Sequence, residues 1–299
     1  MQTQLDSKTY LVTGATSGIG LAVAEELARR GAAVIGVGRS AERCRAAEKR
    51  LRALNPAAPV DFLLADLSLQ SDVHRLAEDA SALLAAQGKP ALDGLVNNAA
   101  TFAYWMTLTA EGVEMQWAVN HLAPFLLTHR LLPRLRAAPF SRVVTVSSQS
   151  HAAGRLDWDD PQLRRRYNGL SAYQNTKLAN VLFTLELNRR FGAGASARAF
   201  AADPGLVRTD IGMKDTPPLA AWLWRVRRSG GQPPERAAAG IIYLLTDESI
   251  QSAAAIYWKD CQPKQPARRA LDEETAARLW ALSARMTGIP AEAYHEPAQ

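Results

Sequence analysis

The chain has 299 residues and a mass of 32.5 kDa, and 47% of its residues are hydrophobic, which is enough for the core of one large domain. Its net charge of +6 is modest and its arginines are not clustered with aromatic residues, which argues against a nucleic-acid surface. Two cysteines are too few for a disulfide framework or a cysteine-rich metal site, so we expect no metal and a reducing compartment, the cytoplasm.

The sequence also argues against a membrane protein. No apolar run approaches the roughly 20 residues that a membrane span needs. The N-terminal residues are polar and lead at once into a predicted strand, so we expect no signal peptide.

The first elements predict a phosphate-binding loop. Residues 8–12 are rich in β-forming side chains, a glycine-rich segment follows, and residues 21–30 are strong helix formers. A strand, a glycine-rich turn and a helix in this order are typical of dinucleotide binding. Gly14 allows a sharp turn, while Gly18 and Gly20 allow the backbone to approach a pyrophosphate at the helix N-terminus. A tight turn without a ligand is the alternative.

The end of the second predicted strand, residues 32–37, indicates which cofactor is preferred. An acidic residue at this position would bind a ribose 2′-hydroxyl, but the chain has Gly38, Arg39 and Ser40 there. Arg39 suits a 2′-phosphate, which favours NADP(H) over NAD(H). A solvated arginine at a strand end is the alternative.

Helices and strands then alternate along the chain. Predicted helices cover residues 41–54, 72–86, 234–245 and 272–287, and predicted strands cover residues 60–64, 92–96, 141–146 and 254–258. This alternation predicts an α/β fold, a Rossmann-type doubly wound parallel sheet flanked by helices, with its site at the carboxyl ends of the strands. We expect a single domain over residues 1–299.

Candidate catalytic residues follow the strand at 141–146. Ser147 and Ser148 stand at its carboxyl end, where a hydroxyl can donate to a carbonyl oxygen, although paired serines are also common in turns. Tyr173 and Lys177 lie four residues apart in a segment with helical periodicity, so they share one face. A phenol beside a cationic amine can act as a proton donor and acceptor.

The order and spacing of these motifs resemble the short-chain dehydrogenase/reductase family over essentially the whole chain. The matching residues are Thr13-Gly14-x-x-x-Gly18-x-Gly20, Asn97-Asn98-Ala99, Asn120, Ser148, Tyr173-x-x-x-Lys177 and Pro204-Gly205. Within the family the chain is similar to the retinol-dehydrogenase-like group. That similarity rests on Val119-Asn-His-Leu, Ser147-Ser-Gln-Ser-His151, Lys177-Leu-Ala-Asn180 and Tyr257-Trp-Lys-Asp-Cys261.

The resemblance implies roles for four catalytic residues. Tyr173 would be the general acid/base, and Ser148 would polarise the substrate carbonyl. Asn120 would anchor a water that relays protons to Lys177, which would also hold the nicotinamide ribose. Lowering a free phenol's pKa by about 3 units takes roughly 4 kcal/mol, which Lys177 and the oxidised nicotinamide would supply together.

The resemblance also implies a set of residues that contact the cofactor. Besides Arg39 they are Gly14, Thr16, Ser17, Gly18, Ile19, Gly20, Asp66, Leu67, Asn97, Ala99, Tyr173, Lys177, Pro204, Gly205, Val207 and Thr209. The chain departs from the family at two positions, since Ala100 replaces a common glycine and Asp203 precedes Pro204 where the closest group often has a histidine. Both departures bear on substrate fit.

Substrate contacts are expected in the segments that vary within such a fold. The candidates are Phe102, Trp105, His151 and Trp222. The first two belong to an aromatic cluster, and Trp222 lies in a predicted lid over residues 206–234. The apolar side chains predict a pocket for a bulky hydrophobic carbonyl compound or alcohol. Core packing, a partner subunit and peripheral contact with a membrane surface are the alternatives for the tryptophans.

We therefore expect an NADP(H)-dependent oxidoreductase that acts on a retinal-like, aromatic or polyketide-like carbonyl or alcohol. Residues 8–148 would mainly bind the dinucleotide, residues 149–258 would carry the catalytic helix, substrate loop and lid, and residues 259–299 would form the C-terminal helix and tail. Reduction of a conjugated C=C bond and a non-catalytic, cofactor-binding regulatory role are the alternatives. The resemblance implies a homodimer or homotetramer.

Overall fold

The computed structural model describes residues 4–192, 194–208 and 230–290. Its strands are β1 Thr9–Thr13, β2 Ala33–Gly38, β3 Val60–Leu64, β4 Gly94–Asn97, β5 Ser141–Val146, β6 Ala197–Ala202, β7 Tyr257–Lys259 and β8 Gln262–Pro263. They form one sheet in the order β3-β2-β1-β4-β5-β6-β7-β8. Strands β1 to β7 pair in parallel, and β8 pairs antiparallel with β7. The predicted α/β, Rossmann-type fold is confirmed.

Helices connect the strands. They are α1 Gly18–Arg29, α2 Ala41–Leu54, α3 Gln70–Ala86, α4 Met115–Trp117, α5 Ala123–Arg130, α6 Leu132–Arg136, α7 Gly169–Phe191, α8 Pro234–Thr246 and α9 Glu273–Thr287. A π-helical turn, Ala118–Leu122, joins α4 to α5, and a 3₁₀ turn, Gln149–Ala153, follows β5.

The sheet is buried on both faces, as a parallel sheet must be. Neighbouring residues of β1 point to opposite sides: Val12 packs in the cluster that contains Ile241 of α8, while Leu11 packs with Leu76 of α3 and Phe125 of α5. The chain runs outward from β1 to β3 and returns to β4, so the order reverses between β1 and β4. The ligand crevice of such a fold opens at the carboxyl ends of these strands.

Three predicted elements have the same first and last residues in the structure. Helix α2 and strands β3 and β5 begin and end where the sequence predicts. The last strand was predicted at residues 254–258, which is wrong: β7 is Tyr257–Lys259. Asp260 and Cys261 then adopt positive φ angles of 49° and 60°, which turn the chain back into the unpredicted β8.

Helix α9 covers the outer surface of α5 and α7. Trp280 lies 4.9 Å from the ring centroid of Phe125 and stacks on Phe183 at 5.9 Å, and the guanidinium of Arg190 lies 4.4 Å from its centroid. Trp280 is 2% exposed. Because α7 also carries Tyr173 and Lys177, this aromatic contact supports the helix that holds the predicted catalytic pair.

We expect Trp280→Ala to lower the free energy of unfolding by about 3–5 kcal/mol, because the substitution leaves a cavity between α9 and α7. Urea unfolding monitored by circular dichroism measures the change. Leu54→Ala is the control, since Leu54 is 41% exposed at the end of α2 and its truncation should cost under about 1 kcal/mol. A Trp280→Ala protein as stable as this control would contradict the packing role.

Candidate active site

The N-terminus of α1 is open to an anion. Ser17 precedes the helix in an extended conformation, its side chain makes no capping hydrogen bond, and the first turn carries no acidic residue. Gly14 and Gly18 have φ angles of 67° and 56°, which few residues other than glycine adopt. The free N–H groups of the first turn therefore fit a pyrophosphate.

The glycine loop is fastened to the end of β4 by Thr13 and Asn98. The Thr13 hydroxyl accepts hydrogen bonds from the backbone N–H of Asn98 at 3.0 Å and of Ala99 at 3.1 Å, and the Asn98 amide donates to the Thr13 carbonyl at 2.9 Å. A Cβ atom on Gly20 would lie 2.4 Å from the Asn98 amide nitrogen. The positioning role of Asn98 was not predicted from the sequence, although the repeated asparagines of residues 97–98 were its signal.

Arg39 lies at the carboxyl end of β2, beside the glycine loop. It is exposed and directly follows β2, and the next residue, Ser40, caps α2 by accepting a hydrogen bond from the Arg43 backbone N–H at 3.4 Å. A Cβ atom on Gly38 would lie 2.6 Å from the Thr16 Cγ2 atom. The structure thus brings Thr16 of the loop next to the turn that carries Arg39.

Three more predicted cofactor residues come together in one cleft, which is lined by Leu67, Asn97 and Ala99. Asp66 is half-buried and directly precedes Leu67. The Asn97 side chain turns away, since its amide donates to the Thr128 hydroxyl at 3.0 Å and the residue is 3% exposed. A cofactor contact of Asn97 would therefore use its backbone, and that contact stays a prediction.

The two serines after β5 have different environments. The Ser147 hydroxyl donates to the Lys177 carbonyl at 2.8 Å and the residue is 1% exposed, so it fastens β5 to α7. Ser148 is half-buried; its hydroxyl caps the following 3₁₀ turn by accepting from the Ser150 N–H at 3.1 Å and lies 3.3 Å from the Ser150 hydroxyl. Of the pair, Ser148 is therefore the serine that a substrate can reach.

Tyr173 and Lys177 lie on one face of α7, as predicted. The Lys177 ammonium lies 5.4 Å from the centroid of the Tyr173 ring and donates to the Val146 carbonyl at the end of β5, at 2.9 Å. Lys177 is 2% exposed, and this burial lowers the pKa of its ammonium to about 8. A cation is thus held next to the phenol at the carboxyl end of the sheet.

The Tyr173 phenol is a weaker acid than a free tyrosine. Burial and, to a smaller degree, the negative charge of Asp203 raise its pKa to about 12. Lowering that pKa to 7 would take about 7 kcal/mol, more than the roughly 4 kcal/mol needed for an unperturbed phenol. Burial and the Asp203 charge therefore favour the neutral phenol, even though the Lys177 ammonium lies 5.4 Å from the centroid of the ring.

Asn120 lies in the π-helical turn, where Ala123 donates its N–H to the Ala118 carbonyl five residues back. Such turns occur often at functional sites. Its side chain accepts from the Thr101 N–H at 2.7 Å and donates to the Thr101 carbonyl at 2.9 Å and to the Thr176 hydroxyl at 3.2 Å. A relay water would therefore have to bind the backbone of Asn120, and the relay stays a prediction.

Of the predicted substrate residues, Phe102 contacts Tyr173. Phe102 is 7% exposed and packs edge-on against the Tyr173 ring at 5.9 Å, whereas Trp105 is 62% exposed. His151 is buried with both ring nitrogens engaged, by the Ser148 carbonyl at 2.8 Å and the Ala267 N–H at 3.0 Å. Any contact of His151 with substrate would use the ring carbons. Trp222 lies outside the described residues.

The turn after β6 carries the remaining predicted cofactor residues. Asp203 accepts a hydrogen bond from the Gly205 N–H at 3.0 Å, and Gln232 donates to the Pro204 carbonyl at 2.6 Å. Val207 pairs with Gln232 in an isolated parallel bridge. Thr209 and most of the predicted lid over residues 206–234 lie outside the described residues.

Comparison with known proteins agrees with this geometry. Residues 8–219 match the short chain dehydrogenase family. Human retinol dehydrogenase 13 is 39% identical over 98% of this chain and 88% of its own length. A structure of an uncharacterized protein from Mycobacterium paratuberculosis superposes with a TM-score of 0.74 at 34% identity, covering 99% of this chain and 97% of that chain.

A further solved relative is LugOII, a promiscuous reductase that catalyses keto-reduction at C1 during lugdunomycin biosynthesis. It superposes with a TM-score of 0.67 at 26% identity, covering 86% of this chain and 98% of that chain. The chain belongs to the short-chain dehydrogenase/reductase family. It is an oxidoreductase that uses a nicotinamide dinucleotide, and it is similar to the retinol dehydrogenases.

We expect Lys177→Met to stabilise the cofactor-free protein by about 2 kcal/mol at pH 7, because it removes the burial penalty of the ammonium and loses one hydrogen bond to Val146. The lowered pKa means that the unfolded chain holds more protons on Lys177 than the folded chain between about pH 8 and 10.5. Wild-type stability should therefore rise across that window, and the advantage of the variant should shrink.

Urea unfolding of both proteins at pH 7 and pH 10 measures this effect. Lys49→Met, at an exposed position of α2, is the matched control and should be neutral at both values. A Lys177→Met protein less stable than wild type at pH 7 would contradict this prediction. It would show that the buried ammonium stabilises the fold.

Proposed function

We propose that the protein is an NADP(H)-dependent oxidoreductase that transfers a hydride between the nicotinamide and the carbonyl or alcohol group of a bulky hydrophobic substrate. The observation that carries this proposal is the position of the Lys177 ammonium, 5.4 Å from the Tyr173 ring, at the carboxyl end of the strand that leads into Ser148. The keto-reduction named for LugOII and the alcohol chemistry named for retinol dehydrogenase 13 support a carbonyl/alcohol substrate.

Each residue of the site would have a separate role in the reaction. The nicotinamide supplies or accepts the hydride. Ser148 would donate a hydrogen bond to the substrate oxygen, and Tyr173 would deliver a proton to that oxygen during reduction or remove it during oxidation. Lys177 would stabilise the tyrosinate through its positive charge. The N-terminus of α1 would bind the pyrophosphate, which fixes the cofactor at the same edge of the sheet.

The preference for NADP(H) is supported by the surroundings of Arg39. Arg39 is exposed and stands in the sequence between Gly38, which lies against Thr16 of the glycine loop, and Ser40, which caps the N-terminus of α2. A guanidinium binds a phosphate through charge-assisted hydrogen bonds, and a helix N-terminus adds a favourable dipole. A 2′-phosphate on the adenosine ribose would meet both.

A hydrophobic substrate is supported by the apolar surface next to Tyr173. Phe102 packs on the Tyr173 ring, and the exposed Tyr104 and Trp105, which follow it closely in the chain, pack edge-on against each other at 4.9 Å. A retinal-like, aromatic or polyketide-like compound would bury such side chains on binding.

A third part of the proposal concerns the subcellular compartment and the oligomeric state. Among the described residues, every helix is too short or too polar to cross a bilayer. We propose a cytoplasmic protein that forms a homodimer or homotetramer, in which contact with a membrane surface would be peripheral.

The first experiment measures NADPH oxidation with a panel of bulky aldehydes, ketones and enones. We expect turnover on carbonyls, and we expect Tyr173→Phe to lower kcat/KM by about 10²- to 10⁴-fold because the proton donor is lost. NADPH affinity, measured by fluorescence, should change little. Tyr243→Phe, on α8, is the matched control and should retain activity. Turnover of enones alone, or an active Tyr173→Phe protein, would contradict the proposal.

A second experiment tests the cofactor preference. We expect Arg39→Ala to raise the KM for NADPH by about 10- to 100-fold, the loss of a charge-assisted hydrogen bond of roughly 1.5–3 kcal/mol, and to leave the KM for NADH unchanged. Lys49→Ala removes an equal charge from an exposed position of α2 and should leave the KM for both cofactors unchanged. A wild-type protein that prefers NADH would overturn the assignment of Arg39.

A further inference from the structure

The carboxylate of Asp203 is buried next to the proposed nicotinamide site. It follows β6 directly and is 4% exposed. One oxygen accepts the Gly205 N–H at 3.0 Å and the other binds the Lys264 ammonium at 2.7 Å. A buried carboxylate is costly unless it is paired, so Lys264 is the partner that allows an acid at this position.

Lys264 also reaches the segment that carries Ser148. Its ammonium donates to the side-chain carbonyl of Gln149, the residue after Ser148. The Lys264 ammonium therefore bridges the turn of residues 203–205, which follows β6, and residues 148–149, which follow β5. Strands β5 and β6 are parallel neighbours in the sheet.

The residues after Lys264 make two more contacts with the serine segment. The Ala267 N–H donates to His151 at 3.0 Å, and Arg269 donates to the Gly154 carbonyl at 2.7 Å. We call residues 264–269 the clamp segment. Within the clamp segment, Lys264 is the residue that reaches both sides of the site.

The charges around Tyr173 are opposite in sign. Lys177 faces it from α7, and the charge of Asp203 acts on it from the end of β6. His151 and Tyr257 also act on Asp203, and both are uncharged near neutral pH: burial lowers the pKa of His151, and burial together with Asp203 raises the pKa of Tyr257. Arg236 and Lys259 line the same pocket as Asp203, and Lys264 is the cation in direct contact with its carboxylate.

We propose that the Asp203–Lys264 ion pair is a positioning unit of the active site, which clamps the Ser148 segment to the Pro204-Gly205 turn and balances the charge beside Tyr173. This inference rests on the proposed function for the role of Tyr173.

The test uses Lys264→Met, Asp203→Asn and the double variant, with Lys264→Arg to keep the charge. In alcohol oxidation with NADP⁺, Tyr173 acts as a base, so activity rises with pH along an acidic limb. Lys264→Met leaves Asp203 unbalanced and should move this limb upward by about one pH unit, whereas Asp203→Asn should move it downward. The double variant and Lys264→Arg should return it close to the wild-type position.

A second readout does not require turnover. The oxidised nicotinamide is positively charged and NADPH is not, so the ratio of their dissociation constants should change with pH as Tyr173 ionises. Fluorescence and calorimetric titrations from pH 6 to pH 10 give this ratio, and the variants should shift its midpoint in the same directions as the kinetic limb. Tyr173→Phe should remove the part of the dependence that belongs to the phenol and that the variants shift, leaving the part that belongs to Lys177, whose pKa is about 8.

The outcomes separate the two proposals. Opposite shifts for Asp203→Asn and Lys264→Met in the binding ratio, without turnover of any carbonyl or alcohol, would support the ion pair and overturn the proposed function. Limbs and midpoints within 0.2 pH unit of wild type for both single variants, or shifts in one common direction, would overturn the ion-pair proposal. If the variants had lower melting temperatures but the same acidic limb as wild type, the ion pair would stabilise the fold without acting on Tyr173, and the proposal would be overturned.

Discussion

The site depends on a reciprocal pair of hydrogen bonds between β5 and α7. The Lys177 ammonium donates to the Val146 carbonyl at the end of the strand, and the Ser147 hydroxyl donates back to the Lys177 carbonyl. Each element thus bonds the backbone of the other through a side chain, which fixes the rotation of α7 about its axis. Because of that rotation, the Tyr173 ring lies 5.4 Å from a buried cation at the carboxyl end of β5.

Features that depend on local backbone geometry could be predicted from the sequence. The glycine loop, helix α2 and strand β5 follow from glycine conformation and from periods of 3.6 and 2 residues, and all three lie where expected. Contacts between distant side chains could not. Asn98 meets Thr13 across 85 residues and Lys264 meets Asp203 across 61, and no sequence period encodes such pairs. The end of β7 has a similar origin, since the hairpin at residues 260–261, and not the apolar pattern of the strand, sets its last residue at Lys259.

The C-terminal residues complete a site whose motifs lie earlier in the chain. Trp280 of α9 supports α7 from outside, and the clamp segment holds the residues after Ser148 from the other side. Burial in this enclosure raises the pKa of Tyr173, which favours the neutral phenol, and lowers that of Lys177, which disfavours its ammonium. The enclosure therefore opposes a tyrosinate–ammonium pair in the protein without cofactor.

The position of the clamp segment has a consequence for biosynthesis. A chain leaving the ribosome at about 5–20 residues per second would expose Ser148 about 6–24 s before Arg269. During that interval the Ser148 segment lacks its partners, and one face of β1 lacks its cover, because Val12 packs in the cluster that contains Ile241 of α8. The glycine loop and the serine segment, which are made early, therefore complete their packing only after the last quarter of the chain has begun to emerge.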